Sequence, residues 1–409
     1  MEGIRKLDVS GSVAVVSEER EMPYVRCYLP GYIAGKVTEK ALAYRPPRFF
    51  EKNGVELMLG RRAVSLDTKE RLVLLDDGTT LRYNKLLLAT GSSAVLQGLP
   101  GTELKGVHVL RTLDDARNIA VEAIPGRKAL VMGGGLVGVG TAIALHQRGM
   151  SVHLVVASSQ VLSQNIDPGA AEMVAEHLRH NGIDLLLETD VVEIFGQVRA
   201  GGARLSDGRV LECDLVVSAK GVRMNYELAE RAGLAVKRGV TVDERMRTSA
   251  PQVFAAGDVA EAKDYLTGHN STLTIWSMAS EQGRVAGTNM AGGDAVYLGG
   301  VQMSTVEFLG LSVVSIGDAR EPKYPSILRS VVESDAVAKT YRRVIFQEGK
   351  VIGAIMVGAS EKSGALTGIP CTRVDVRTVR GLLLKDDLDF GKLQDALLIS
   401  ASPPPPRPP

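Results

Sequence analysis

The sequence predicts an α/β protein built on doubly wound, Rossmann-like nucleotide-binding units, and three observations carry that expectation. The first is a buried strand, Ala129 to Met132, running into the glycine turn Gly133 to Gly138 and then into an apolar helix. The second is a pair of further apolar runs ending on small residues: Lys85-Leu86-Leu87-Leu88 into Ala89-Thr90-Gly91, and Val253-Phe254-Ala255-Ala256 into Gly257-Asp258. The third is composition. The 409 residues include 44 glycines and are 45% hydrophobic, enough chain for two or three domains with many tight turns.

Taken in order, Glu2 to Lys6 reads as the end of a helix and Ser12 to Ser17 as a strand ending on Glu18 and Glu19. A loop and short helix follow through Pro23 to Pro30. Strands are expected at Val55 to Leu59, Arg62 to Asp67 and Arg71 to Leu75, with Asp76-Asp77-Gly78 as a hairpin turn. Tyr83 to Thr90 reads as one buried strand. From Lys128 a complete βαβ unit unfolds: the strand, the glycine turn, a helix from Val139 to Arg148 and a strand at Ser151 to Val156, about 30 residues in all. Asp207-Gly208 marks a turn, Asp214 to Ala219 a buried strand, and Ile275 to Gly292 a long helix. Alternating strands then run from Val301 to Val357, and Ser402 to Pro409 is a polyproline tail without a core of its own.

Composition also excludes. Aromatics at 4% offer no stacking platform for single strands, and a net charge of +1 offers no field for a polyanion or an anionic membrane. Neither a nucleic-acid nor a membrane partner is expected. The three cysteines, Cys27, Cys213 and Cys371, are odd in number and far apart, giving neither a disulfide framework nor a metal spacing, and the six histidines form no ligand cluster. Ala129 to Leu145 carries no charge, but it is shorter than the roughly 20 residues of a spanning helix and is filled with glycine. The start has no apolar run of signal type, so the chain reads as soluble and cytoplasmic.

Two motifs carry chemistry. Gly133-Gly134-Gly135-Leu136-Val137-Gly138 fits G-x-G-x-x-G between strand and helix, where glycine lets the backbone approach a pyrophosphate and the helix N-terminus supplies amide donors. The competing reading is a merely structural tight turn. Asp258, at the end of an apolar strand, is either a ligand-meeting carboxylate or a solvated turn aspartate.

The order of these segments resembles the pyridine-nucleotide-dependent FAD reductases of the glutathione-reductase superfamily, in particular the rubredoxin-reductase, ferredoxin-reductase and nitrite-reductase flavoprotein branch. The resemblance is carried by Pro23-Tyr24 with Arg26, Leu88 to Ser92, Val109 to Ala116, the glycine loop, Gly221 to Asn225, Ala255 to Val259, Trp276 to Gly283 and Asn289 to Gly292. It implies two Rossmann-like nucleotide-binding domains plus a small C-terminal α/β interface domain. In residues, that is an FAD domain at 1–110 and 237–298, an NAD(P) domain at 111–236, an interface domain at 299–393 and the tail at 394–409. It further implies FAD and NADH or NADPH as cofactors. Asp258 would meet the ribityl chain with Gly257 beside it, Ala89, Thr90, Gly91 and Arg111 would line the flavin side, and Arg26 and Trp276 would join them. Glu18 or Glu19 would hold the adenosine ribose. Gly133, Gly135, Gly138 and Gly221 would hold NAD(P)H. The implied acceptor is a small redox protein such as a rubredoxin or ferredoxin, and a homodimer is the expected assembly.

The sequence departs from that pattern in places. Relatives begin with a strand and a glycine loop of their own, whereas this sequence opens in the helix after them; a misplaced start is the favoured explanation. The expected consequence is two FAD-side strands short of a partner and a weak hold on FAD. A flavin-free nucleotide-binding or assembly subunit is the alternative this raises. Gly140 stands where relatives carry a glutamate facing the nicotinamide. Val156-Ala157-Ser158-Ser159 offers neither an acid for a 2′-hydroxyl nor an arginine for a 2′-phosphate. Cys27-Tyr28-Leu29-Pro30 matches the spacing of thiol-using CoA-disulfide and peroxide reductases, so Cys27 is a candidate catalytic thiol as well as a candidate packed small hydrophobe.

Overall fold

The computed structural model describes residues 1–319, 328–335, 337–348 and 350–358. The polyproline tail, Cys371 and the end of the expected interface domain lie outside the described residues. The chain divides into two units, one formed by residues 1–155 with 189–300 and the other by 156–188 with residues from 301 onward.

In the first unit, α1 (Glu2–Arg5) leads into β1 (Val13–Ser17), and α2 (Leu29–Ile33) precedes β2 (Val55–Leu59). Then come β3 (Leu86–Leu88), β4 (Ser92–Ala94), β5 (Val107–Val109), α3 (Leu113–Glu122), β6 (Lys128–Met132), α4 (Leu136–Gln147) and β7 (Ser151–Val155). After residue 189 the unit adds β8 (Leu215–Ser218), β9 (Val222–Met224), β10 (Val253–Ala255) and α5 (Trp276–Met290).

The nucleotide-type half is a parallel sheet in which β6 lies between β7 and β8, with β5 outside β8. Buried on both faces and both edges, Ala129, Leu130, Val131 and Met132 are at most 1% exposed, which is why this strand is continuously apolar and does not alternate. The helix α4 is apolar around its circumference for the same reason, with Val139, Ala142, Ala144 and Leu145 buried. It begins at Leu136, three residues before the expected Val139, because Gly135 already serves as its N-cap and the third glycine lies inside its first turn.

The other half is arranged differently. β1 pairs in parallel with β2, in register from Val13 opposite Val55 to Ser17 opposite Leu59. β3 pairs in parallel with β10, in register from Leu86 opposite Val253 to Leu88 opposite Ala255. Among the described residues these four strands form two separate pairs, not one sheet. Val13, Val15 and Val16 are accordingly only half-buried despite their apolar character. The expected strand over Tyr83 to Thr90 is confined to Leu86–Leu88, the stretch that has a neighbour to bond.

The second unit combines a helix, Pro168–His180, with an antiparallel sheet of five strands. From one edge the strands are β11 (Met303–Phe308), β12 (Leu311–Gly317), β15 (Lys350–Val357), β14 (Thr340–Gln347) and β13 (Leu328–Asp335). Asp167 caps the helix through Ala170 N and also accepts hydrogen bonds from Tyr341 Oη at 2.6 Å and Arg343 Nη1 at 2.5 Å. Removing one partner would strand a buried charge, so this contact holds helix and sheet of that unit together. Among the described residues no helix is long and apolar enough to cross a membrane.

Candidate functional site

The glycine loop distributes its roles by position. A Cβ on Gly133 would come within 2.4 Å of the Ala219 carbonyl oxygen, and its φ of +112° suits glycine alone. On Gly138 a Cβ would fall 1.9 Å from Gly133 O, so these two glycines let helix and strand close up. Gly135 is the opposite case, for a Cβ there would meet nothing within 4 Å. It is exposed, caps α4 without a side chain, and leaves the first amides of the helix facing open space. That combination of two glycines for packing and one for access is what a pyrophosphate cradle requires. Gly221, immediately before β9, has φ +96° and is likewise open.

A second constellation forms where β3 and β10 end side by side. Ser92 Oγ donates to Asp258 Oδ2 at 2.7 Å, and Arg111 Nη2 reaches the same oxygen at 2.7 Å. Arg111 Nε donates to Ser92 O at 2.9 Å, so one guanidinium ties the start of β4 to the turn after β10. Gly257 N donates to the buried Gln282 Oε1 at 2.8 Å, fixing the turn before Asp258. Beside this cluster Ala89 and Thr90 are exposed and Gly91 is half-buried.

Arg111 is itself held from behind. Its amide and that of Thr112 both donate to Asp115 Oδ2, at 2.9 and 2.8 Å, while Asp115 N donates to Thr112 Oγ1, completing a capping box on α3. The first amide of the helix, Leu113 N, donates to Tyr24 Oη at 2.9 Å. Tyr24 in turn donates to Glu19 Oε2 at 2.5 Å and accepts from Arg26 Nη1 at 2.8 Å; Arg26 pairs with Glu19 and donates to Arg111 O at 2.8 Å. Burial, and next the hydrogen bond to Glu19, push the Tyr24 hydroxyl well above the usual tyrosine range, so it stays protonated. Glu18 has no such engagement. It is exposed, and its ion pair with Arg62 is long, at 3.8 Å.

Three residues of this neighbourhood carry no role in the sequence reading. Ser92 supports Asp258 as described. Tyr24, quoted only as part of a motif, joins Glu19 to Leu113. Asn225 joins the turn after β3 to the end of β9: its amide donates to Gly91 O at 3.0 Å, its Nδ2 to Thr90 O at 3.0 Å, and its carbonyl accepts from Thr90 Oγ1 at 2.7 Å. The only signal for Asn225 was its place in the Gly221 to Asn225 segment.

Trp276 opens α5, is 54% exposed and stands edge-on to Tyr44 at 5.8 Å. Cys27 is exposed, contrary to the packed-hydrophobe expectation, because its short helical turn lies at the surface. Cys213 lies in a different environment. It is buried, and burial followed by the nearby Asp214 charge push its thiol up to about 12. A Cβ at Gly140 would lie 3.6 Å from Pro30 Cγ, so α4 and α2 touch there through small groups. The Val156 to Ser159 segment belongs to the second unit, where Ser158 Oγ donates to Gln160 O.

Residues 2–283 match the model of the family described as pyridine nucleotide-disulphide oxidoreductase, and residues 303–369 match the rubredoxin NAD+ reductase C-terminal domain. The NADH-dependent phenylglyoxylate dehydrogenase subunit epsilon of Aromatoleum evansii is 32% identical over 95% of this chain and 92% of its own length. The assimilatory nitrate reductase electron transfer subunit of Bacillus subtilis is 30% identical over 93% of this chain, which spans only 47% of that relative. A ferredoxin reductase structure from Rhodopseudomonas palustris superposes with a TM-score of 0.86 at 26% identity, covering 96% of this chain and 95% of the other.

Proposed function

Because this chain belongs to the pyridine nucleotide-disulphide oxidoreductase family, we propose that it is an FAD-dependent NAD(P)H oxidoreductase passing electrons to a small redox protein of the rubredoxin or ferredoxin kind. The observation that carries the reading is the joining of the start of β4 to the turn after β10 by Ser92, Arg111 and Asp258, in the same unit as the open Gly133–Gly138 loop. The residues fit the two cofactors. Gly135 leaves room for a backbone-bound pyrophosphate, and the Arg111–Asp258 pair offers a guanidinium and a carboxylate beside the exposed Ala89 and Thr90.

In this reading the amides at the start of α4 bind the NAD(P)H phosphates, and Gly221 leaves the facing side clear. Asp258 accepts a ribityl hydroxyl, Arg111 holds Asp258 and adds positive charge, and Glu18 accepts from the adenosine ribose. The flavin, when bound, supplies the ability to take a hydride and to release electrons singly. The chain's own contribution is to orient both ligands, with Asn225 fixing the Thr90–Gly91 turn against β9. Gly140 offers no carboxylate toward the nicotinamide, so the chain supplies no acidic anchor at that position. The choice of acceptor is supported by the match of residues 303–369 and by the ferredoxin reductase relative.

The test is steady-state reduction of a dye, of a rubredoxin and of a ferredoxin by NADH or NADPH with FAD added. We expect turnover with the dye and with one of the two proteins; no nucleotide-dependent reduction of any of them would overturn the reading. The exposure of Cys27 favours a second reading, a disulfide or peroxide reductase. In that case Cys27→Ser abolishes disulfide or peroxide turnover yet spares dye reduction, whereas equal effects on both exclude it.

A further inference from the structure

Two adjacent carboxylates end β1, and the structure treats them unequally. Glu18 is exposed with only a long ion pair, whereas both oxygens of Glu19 are occupied: Oε1 by Arg26 and Oε2 by the Tyr24 hydroxyl. A tyrosine hydroxyl has one proton to donate and two lone pairs to offer, and here all three are used, on Glu19, Arg26 and Leu113 N. Arg26 adds a bond to Arg111 O at 2.8 Å. Residue 111 is therefore gripped twice: its carbonyl by Arg26 and its amide by Asp115. A backbone held on both sides leaves its side chain a defined origin, and that side chain ends on Asp258 at 2.7 Å.

We infer that Glu19 is a positioning residue and not a cofactor ligand: through Tyr24 and Arg26 it fixes the Arg111 backbone, and thereby the place at which the Arg111–Asp258 pair meets the flavin. Arg26 shares this role, and the adenosine ribose is left to Glu18. The inference rests on the flavoprotein reading above. Its physical basis is charge pairing in a half-buried site. Neutralising Glu19 leaves the Arg26 guanidinium without its carboxylate, so Arg26 loosens its hold on the Arg111 carbonyl and the Arg111 charge shifts relative to the flavin.

Binding of FAD and of FMN separates the two carboxylates, because FMN has the isoalloxazine and ribityl chain but no adenosine. Glu18→Gln should weaken FAD about tenfold and leave FMN affinity unchanged. Glu19→Gln should weaken FAD and FMN alike, each by about tenfold. At saturating FAD it should also move the flavin midpoint potential to more negative values, since a cation near the reduced flavin has been displaced; Glu18→Gln should leave that potential in place. A merely structural loss would lower affinity without moving the potential of the bound flavin. If Glu19→Gln does not fold, Tyr24→Phe carries the same test, with the same losses expected. A Glu19→Gln loss confined to FAD, or a potential identical to wild type, overturns the inference while leaving the flavoprotein reading intact. Wild-type protein that binds neither flavin overturns that reading, and the inference with it.

Discussion

The two nucleotide-type halves of the first unit are written in similar residues and folded to different depths. In one, β6 has a parallel neighbour on each side and Ala129 to Met132 are sealed from solvent. In the other, among the described residues, β1 has β2 alone and β3 has β10 alone, and the valines of β1 stay half-buried. An apolar run therefore does not by itself make a core strand. Burial also needs a partner on both edges, because a strand with one neighbour keeps a row of backbone groups facing away from the ladder. The half with the closed sheet presents a preformed glycine cradle. The other offers Arg111 and Asp258, held by a hydrogen-bond network, with the exposed Glu18 outside it.

Amide hydrogen exchange measures that contrast at its largest. The amides of Ala129 to Met132 should exchange on the order of a thousandfold more slowly than those of Val13 to Ser17, because the former open only with the unit and the latter locally. Equal protection would mean that the split pairs are as secure as the closed sheet. Next in size is Gly133→Ala. With a φ of +112° and a backbone oxygen 2.4 Å from the new Cβ, the substitution should cost about 3 kcal/mol of stability and abolish nucleotide binding. Thermal melting with and without NADH checks both effects. Asp258→Asn comes third. It removes the charge facing Arg111 and should weaken FAD about tenfold with little change in melting, as read by fluorescence quenching of the flavin. Smallest is Gly135→Ala. Its Cβ has open space and its φ of −78° is ordinary, so the fold should be untouched while NADH affinity falls several-fold, about 1 kcal/mol, as measured by calorimetry.

What was legible in the residues follows from the range of the interactions involved. The glycine loop, the strand before it and the helix after it were readable because their constraints are local: a positive φ at Gly133, a tight approach at Gly138 and continuous apolar residues in β6. Asp258 was readable as a strand-end carboxylate. The difference between Glu18 and Glu19 was not, since it depends on Tyr24, Arg26 and Arg111, and the last is far away in the chain. Ser92 and Asn225 were hidden for the same reason, each finding its partner more than a hundred residues distant. The length of β3 was overestimated because Tyr83 to Thr90 was read as one strand, whereas only the apolar Leu86 to Leu88 lies opposite β10. Exposure of Cys27 is likewise set by where its short turn sits and not by its own spacing.

If one chain brings FAD and a nicotinamide nucleotide together for hydride transfer, anaerobic titration of the FAD-reconstituted protein with NADH and with NADPH should bleach the bound-flavin spectrum in proportion to added nucleotide, with one equivalent of the preferred nucleotide sufficient. A colourless protein that FAD cannot reconstitute, or a bound flavin that neither nucleotide reduces, would contradict it.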